Sequence, residues 1–269
     1  MLGQGWSRDR LSLVTLTLLG LVALAAWASL ILQGSSMAMG RPTGPMPDSM
    51  DSSPGGIAPL VAFVTAWTVM MAAMMLPSAA RMILLYRNAS RGHGAGSRPL
   101  LRTWIFVSGY LVVWAAVGVP VYIAGQLVST AIASNMQLAE WAPYGVALVL
   151  IAAGAYQFTP LKRICLRTCQ SPLAFFMGHW KQGSYGAFRM GLEHGAYCAG
   201  CCWGLMAVLV AAGAMGLAWV LLIALVVGTE KLVSGRQWPV LITGSALLGL
   251  GLLVALQPAI GLSLRGGVM

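Results

Sequence analysis

The sequence is poor in charged residues, and this scarcity excludes a soluble protein. Charged residues make up only 8% of its 269 positions, hydrophobic residues make up 58%, and the mean hydropathy is +0.80. A soluble domain carries roughly 25% charged residues. The longest hydrophilic segments, roughly 20–30 residues each, are also too short to fold alone. We therefore expect one integral membrane domain over residues 1–269.

Several functional motifs are missing as well. The chain has no glycine-rich phosphate loop with its Lys-Ser/Thr, so nothing supports ATP-driven transport. No pair of cytoplasmic histidines indicates a haem site, although His194 alone leaves haem open. All five cysteines fall in segments that we expect in the inner half of the membrane or at the cytoplasmic face, where structural disulfides are rare.

Long apolar runs predict an all-α, polytopic bundle of about seven transmembrane helices. Each crossing of a bilayer takes about 20 residues, and six charge-free runs have that length. The fifth run contains Ala212-Gly213-Ala214-Met215-Gly216, small residues that allow a turn between two apolar halves. We place the helices near residues 11–33, 58–80, 103–128, 143–161, 191–212, 216–232 and 238–258.

The basic residues orient the predicted helices. The net charge is +10, yet fourteen of the sixteen basic residues fall on one side of a seven-helix arrangement, leaving Arg41 and Arg265 on the other. The crowded side is the cytoplasmic one, so we expect the N-terminus inside the cell and the C-terminus outside the membrane. The basicity then implies no nucleic-acid partner. Ala26-Trp27-Ala28 loosely resembles a signal-cleavage site, but its apolar stretch exceeds the usual 7–15 residues, and we expect an uncleaved helix.

One segment, residues 191–203, concentrates soft metal ligands at the mouth of an apolar run. On a helix, His194, Cys198 and Cys201 fall within an arc of roughly 60°, Cys202 lies about 40° further round, and Trp203 points away. Thiolate and imidazole suit Cu(I) and Zn(II). Buried cysteines also serve as small packing residues, which is the competing interpretation. Three of them beside an intramembrane histidine favour a metal site.

The second predicted helix carries Met70, Met71, Met74 and Met75, and thioethers favour Cu(I) over Zn(II). Packing alone explains any single methionine. Counted from the nearest arginines, however, these thioethers and Cys198 lie at similar depths, roughly 9–15 Å from the inner surface. We therefore expect them in one layer of the membrane, near a kink at Pro77.

Further soft residues lie in segments that we expect outside this layer. Cys165 and Cys169 are four residues apart on a basic segment, and we predict a two-thiolate entry or exit site just cytoplasmic of the fourth helix. A methionine-rich outer loop, residues 34–57, is a candidate copper-collection site. Its soft and acidic residues are Met37, Met39, Met46, Met50, Asp48 and Asp51.

Two acidic residues, Glu193 and Glu230, can be explained by ion pairs without a role in metal binding. Glu193 lies close to Arg189, and an interfacial ion pair explains it as well as a ligand role. Glu230 precedes Lys231, and this pair fits either proton coupling or an interfacial salt bridge; the sequence leaves that choice open.

These motifs together resemble those of the bacterial "predicted metal-binding integral membrane protein" family, a domain of unknown function. The resemblance covers roughly residues 60–235 and implies metal binding in a membrane. Arg81 departs from the family, which often has proline there, but the cysteine segment is intact. The motifs that carry the resemblance are Trp67…Met70-Met71…Met74-Met75-Leu76-Pro77-Ser78, Thr159-Pro160-Leu161-Lys162…Cys165…Cys169…Ser171-Pro172-Leu173, Gly195…Cys198…Gly200-Cys201-Cys202-Trp203…Leu205-Met206 and Glu230-Lys231.

Two functional classes follow from these patterns. The first is a metal-handling membrane protein, a binding role rather than a catalytic one, that binds Cu(I), or less readily zinc. It either delivers the ion to a copper chaperone or a copper-requiring enzyme or moves it across the bilayer. The second is a thiol redox protein that uses the Cys198-x-x-Cys201 pair. A scaffold subunit whose cysteines only pack is a third reading. The aligned methionines favour metal, because a disulfide relay does not need them.

Overall fold

The computed structural model describes residues 3–38, 57–92, 99–211, 217–233 and 235–258, and within them the chain is helical without strands. The predicted all-α class is therefore confirmed. The methionine-rich loop lies mostly outside the described residues, as does the predicted break at Gly213. The helices are α1 (Gly3–Ala38), α2 (Ile57–Gly92), α3 (Pro99–Ser134), α4 (Met136–Gln157), α5 (Pro160–Gln170), α6 (Pro172–His179), α7 (Gly183–Ala211), α8 (Leu217–Leu232) and α9 (Trp238–Leu256).

The long apolar helices fit a multi-pass membrane protein, although the count differs from seven. Within the described residues, α1, α2, α3, α7 and α9 are long and apolar enough to cross a bilayer, and α4 with α5 forms a sixth candidate that bends by 64°. The described part of α8 has 16 residues, short of the roughly 20 that a full crossing takes. The predicted orientation stays a prediction.

Glycines let α3 and α7 pack with their backbones in contact. A Cβ at Gly191 would collide with the carbonyl oxygen of Phe106, and one at Gly109 would collide with that of Phe188. Small residues at both surfaces permit such close approach between membrane helices. The packing fixes the face of α7 that carries the cysteines against its neighbours.

A sharp bend brings α5 back onto the bundle. Thr159 caps α5 by accepting a hydrogen bond from the Lys162 amide (3.4 Å), and Pro160 occupies the first turn. The residue before a proline avoids helical geometry, so α4 has to end there. Consequently α5 packs against α7 and α8.

Three basic residues that we counted as loop charges are buried instead. Arg87 lies on α2, fully buried, and donates a hydrogen bond to Thr15 of α1 (2.8 Å). Lys162 and Lys231 are 1% and 6% exposed. The predicted end of the second helix near residue 80 is also wrong, because α2 continues through Pro77 and Arg81 to Gly92. Arginine favours helix, so the charges do not terminate it.

Candidate metal site

The soft residues singled out in the sequence converge in one core between α2, α5, α7 and α8. Nine of these ten residues are buried, and Cys169 is half-buried against the others. Trp203 is 52% exposed on the opposite face of α7, as the helical count predicts. The ten residues are Met70, Met71, Met74, Met75, Cys165, Cys169, His194, Cys198, Cys201 and Cys202.

Cys198 is the centre of a polar contact set inside this core. Its sulfur lies 2.9 Å from the Lys231 ammonium nitrogen and 3.1 Å from the Tyr110 hydroxyl oxygen. Cys198, Tyr110 and Lys231 come from α7, α3 and α8 and are at most 6% exposed. A buried ammonium is costly unless an anionic partner compensates it. A thiolate at Cys198 would be such a partner.

Cys201 and Cys202 both donate their thiol hydrogens to the Cys198 carbonyl oxygen, at 3.1 and 3.0 Å. The hydrogen bonds turn these two sulfur atoms back along α7. In this arrangement Cys198 and Cys201 are not joined by a disulfide, and all five cysteines are free.

Cys169 on α5 meets the cysteine segment of α7. Its sulfur lies 3.9 Å from that of Cys201. Cys165, one turn earlier, packs against Gly200, where an added Cβ would lie 2.9 Å from the Cys165 sulfur. The predicted separation of Cys165 and Cys169 from the other cysteines is therefore wrong, because the bend after α4 folds the α5 thiols onto α7. Their role as an entry or exit site stays a prediction.

Met75 is the methionine that reaches the polar centre. Its sulfur accepts a hydrogen bond from the Lys231 ammonium at 3.5 Å, and Ser78 lies 3.4 Å from the same nitrogen. Met75 and Cys198 therefore contact the same ammonium group, while their depth in the membrane stays a prediction. Met70, Met71 and Met74 lie in the same buried cluster.

His194 lies next to Tyr110, among aromatic rings. Its ring stacks on Tyr110 (5.6 Å between centroids) and Phe106 (6.1 Å), and its Nδ1 atom is buried without a hydrogen-bond partner. A cavity of about 10 Å³ borders it, close to the volume that one water molecule needs. The cavity lining comprises Ser78, Ala79, Arg81, Met82, Cys169, His194 and Lys231.

Glu230 and Lys231 do not pair with each other. Glu230 binds Lys162 of α5 at 2.7 Å, and both side chains are almost completely buried. The Gln170 amide donates to the Glu230 carbonyl oxygen at 2.7 Å. These contacts fix α8 against α5 and leave Lys231 to the sulfur atoms. Glu193, by contrast, forms the expected interfacial pair with Arg189 (3.3 Å), together with Lys181.

No group of three or more His, Cys, Asp or Glu side chains in the described ranges has the arrangement of a metal site. Two contacts link sulfur atoms of different helices in the described chain: Cys169 with Cys201 at 3.9 Å, and Cys198 with Met75 through the Lys231 ammonium. Thiolate and thioether ligands suit Cu(I), whereas a structural zinc site takes four ligands in a tetrahedral arrangement.

Sequence reasoning missed three side chains around the centre and misjudged a fourth. Tyr110, Ser78 and Met82 line the site, and Lys231 occupies it. A lysine adjoining an apolar run was the available signal, because charges at membrane depth are rare and functional. Tyr110 gave no signal of its own, since tyrosines are common in membrane helices.

A family model described as "PpoB2: Copper chaperone" matches residues 64–254. The matched range includes α3 to α8, most of α2 and all but the last two residues of α9, and hence the ten residues of the sulfur core. No curated protein and no solved structure matches the chain.

Proposed function

The chain belongs to the PpoB2 copper chaperone family, and from this premise we propose that it binds Cu(I) as cargo in its buried sulfur core and delivers it to a copper-requiring partner. We further propose that it works in the bacterial inner membrane, where its apolar helices hold the site away from water. The ligands are Cys198 and Cys201, assisted by Met75, with Cys169 as the thiol that exchanges the ion.

The position of the Lys231 ammonium carries this proposal. It is a buried single positive charge held by the Cys198 sulfur (2.9 Å) and the Met75 sulfur (3.5 Å). Thiolate and thioether are preferred ligands of Cu(I). The sulfur atoms can therefore hold one cation in exchange for another, with the lysine swinging aside when copper binds.

Charge balance explains why a lysine suits this place. A Cu(I) ion bound by two thiolates carries one net negative charge, and such a charge is expensive inside a protein unless a counter-ion neutralises it. The displaced ammonium, still beside the sulfur atoms, supplies that counter-ion. Binding by Cys198 as thiolate and Cys201 as thiol releases one proton, that of Cys201.

The spacing of Cys169 and Cys201 supports transfer within the core. Two metal–sulfur bonds of about 2.3 Å, the zinc–thiolate length, span at most about 4.6 Å. The 3.9 Å between these sulfur atoms lies within that reach. Cys169 can thus attack copper on Cys201 before the bond to Cys198 breaks. The half-buried position of Cys169 makes it the exit ligand, and His194, whose Nδ1 is unpartnered, borders the same cavity.

The test is Cu(I) competition against a chromogenic chelator, with anaerobically purified protein in detergent. We expect the wild type to bind about one equivalent of Cu(I). Cys198→Ser should lose at least about tenfold in affinity, because one of the two thiolate ligands of copper is lost. Met190→Leu is the control, because this fully buried α7 methionine lies about 12 Å along the helix from Cys198. A wild type that binds no copper contradicts the proposal.

The thiol redox alternative now involves a different pair of cysteines. The 3.9 Å approach favours a Cys169–Cys201 couple over the Cys198-x-x-Cys201 couple expected from sequence. Metal-free protein that forms and reduces a Cys169–Cys201 disulfide, identified by peptide mass mapping, would favour this function. If copper binding survives Cys198→Ser but is lost in Cys169→Ser, the proposed site moves to the Cys169–Cys201 pair.

A further inference from the structure

A second cavity, of about 170 Å³, lies on the side of α5 away from the cysteines. This volume is many times the roughly 10–15 Å³ that one water molecule needs, so a group of several heavy atoms fits. The described side chains that line it include basic and amide groups and no acid. The lining residues are Gln157, Lys162, Arg163, Leu166, Arg167, Gln170, Gly235, Arg236, Gln237, Val240 and Leu241.

The charge of this cavity is not balanced within the described chain. Lys162 is neutralised by Glu230 at 2.7 Å. Arg163, Arg167 and Arg236 are exposed, and no ion pair of the described residues involves them. Arg163 and Arg167 are four residues apart and thus share one face of α5. Three guanidinium groups around one concave surface attract an anion that can accept paired hydrogen bonds.

Two further features of the wall point to a ligand. Gln157 is 2% exposed and lines the cavity, and its Oε1 atom has no hydrogen-bond partner among the described residues. Buried polar atoms are normally paired, so this acceptor calls for a donor. In addition, α9 begins here at Trp238, its N-cap residue Gln237 makes no side-chain capping bond, and a helix N-terminus adds partial positive charge.

We infer that this cavity binds a phosphate group, presented by the headgroup of an anionic phospholipid. The arginines hold the phosphate, and Gln157 accepts a hydrogen bond from a headgroup hydroxyl. The rim supports a lipid source, because Leu241 lines the cavity and is 44% exposed, and Trp238, which follows the lining residue Gln237, is 50% exposed. Exposed aliphatic residues and tryptophan are typical of the membrane interface, and basic pockets between helices bind anionic headgroups.

The test measures lipid binding by full-length, metal-free protein in detergent, so copper plays no part in it. The probes are phosphatidylglycerol, phosphatidylcholine and inorganic phosphate, and the readouts are native mass spectrometry and the thermal unfolding midpoint. The variant is Arg167→Gln/Arg236→Gln. Its matched control is Arg102→Gln/Arg189→Gln, which removes the same charge away from the cavity.

We expect the wild type to prefer phosphatidylglycerol over phosphatidylcholine. Each arginine near an anionic lipid contributes about a fivefold factor, so the double variant should lose this preference by about 25-fold while the control retains it. Millimolar inorganic phosphate that stabilises the wild type but not the variant would support the same site with a free anion as its source. Equal binding of both lipids by the wild type, or an equal loss in the control, would overturn the inference.

Discussion

Two buried lysines, Lys162 and Lys231, differ in the partner that each one holds. Lys162 is 1% exposed and binds the Glu230 carboxylate at 2.7 Å. Lys231 is 6% exposed and binds the Cys198 and Met75 sulfur atoms. Oxygen partners do not favour Cu(I) over an ammonium group, whereas sulfur partners do. The first contact therefore serves as a structural ion pair, and the second can be exchanged for copper.

Removing Lys162 and removing Lys231 would have different consequences, because each leaves a different partner behind. Removal of Lys162 would leave the buried Glu230 carboxyl without its partner, and an unpaired buried charge or polar group is costly. Removal of Lys231 would leave two sulfur atoms, and sulfur side chains tolerate apolar surroundings. The two lysines are thus expected to separate stability from copper binding.

The largest effect is expected from Lys162→Met, which leaves Glu230 without its counter-ion. Breaking a buried pair on one side costs about 3–5 kcal/mol, and we expect a loss of that size in the free energy of unfolding. Thermal or denaturant unfolding in detergent measures it. Adding Glu230→Gln should restore more than half of the loss, because no charge is then left unpaired. Equal losses in the single and double variants would mean that the pair is not the cause.

A smaller effect, and on a different property, is expected from Lys231→Met. Hydrogen bonds to charged groups are worth about 1.5–3 kcal/mol, so the Cu(I) affinity should fall roughly 10- to 100-fold as the counter-ion is lost. Binding should then release one more proton and depend more steeply on pH, since Cys198 is protonated before copper arrives. Unfolding should change less than in Lys162→Met. Lys231→Arg, which keeps the charge, should keep most of the affinity.

An unchanged Cu(I) affinity in Lys231→Met would break the comparison, because both lysines would then be structural. A fall in the free energy of unfolding as large as that of Lys162→Met would also mean that both lysines are structural.

The smallest effect is expected from Met75→Leu, which removes the thioether with little change of volume. We expect less than about tenfold weaker Cu(I) binding, below about 1.4 kcal/mol, and nearly unchanged stability. Chelator competition measures it, with Met190→Leu as the matched change at a buried methionine elsewhere. Equal weakening in both variants would assign the effect to general repacking rather than to a ligand.

The cysteine face of α7 illustrates how far helical periodicity reaches. Counting at 100° per residue predicted that Cys198, Cys201 and Cys202 turn inward and Trp203 outward, and burial agrees. This argument succeeds because the geometry of a single helix is fixed locally. Residue counting from the arginines also predicted that Met75 and Cys198 lie at one depth; both contact Lys231, and the depth itself stays a prediction.

The arguments that failed concern non-local contacts. Cys165 and Cys169 were placed in a separate cluster because the sequence does not give the 64° bend between α4 and α5. Glu230 was considered with its neighbour Lys231, yet its partner lies 68 residues away. Neighbours in a helix diverge by about 100°, so adjacency along the chain says little about pairing.

The sequence alone determined the helical class, the apolar spans and the supply of soft ligands, because composition and period act within single segments. Only the tertiary structure decided which cation meets which anion. It assigned Glu230 to Lys162, left Lys231 to Cys198 and Met75, and brought Cys169 to Cys201. Such pairings depend on how glycine contacts and a proline-marked bend bring distant helices together, and those distances are properties of the packed bundle.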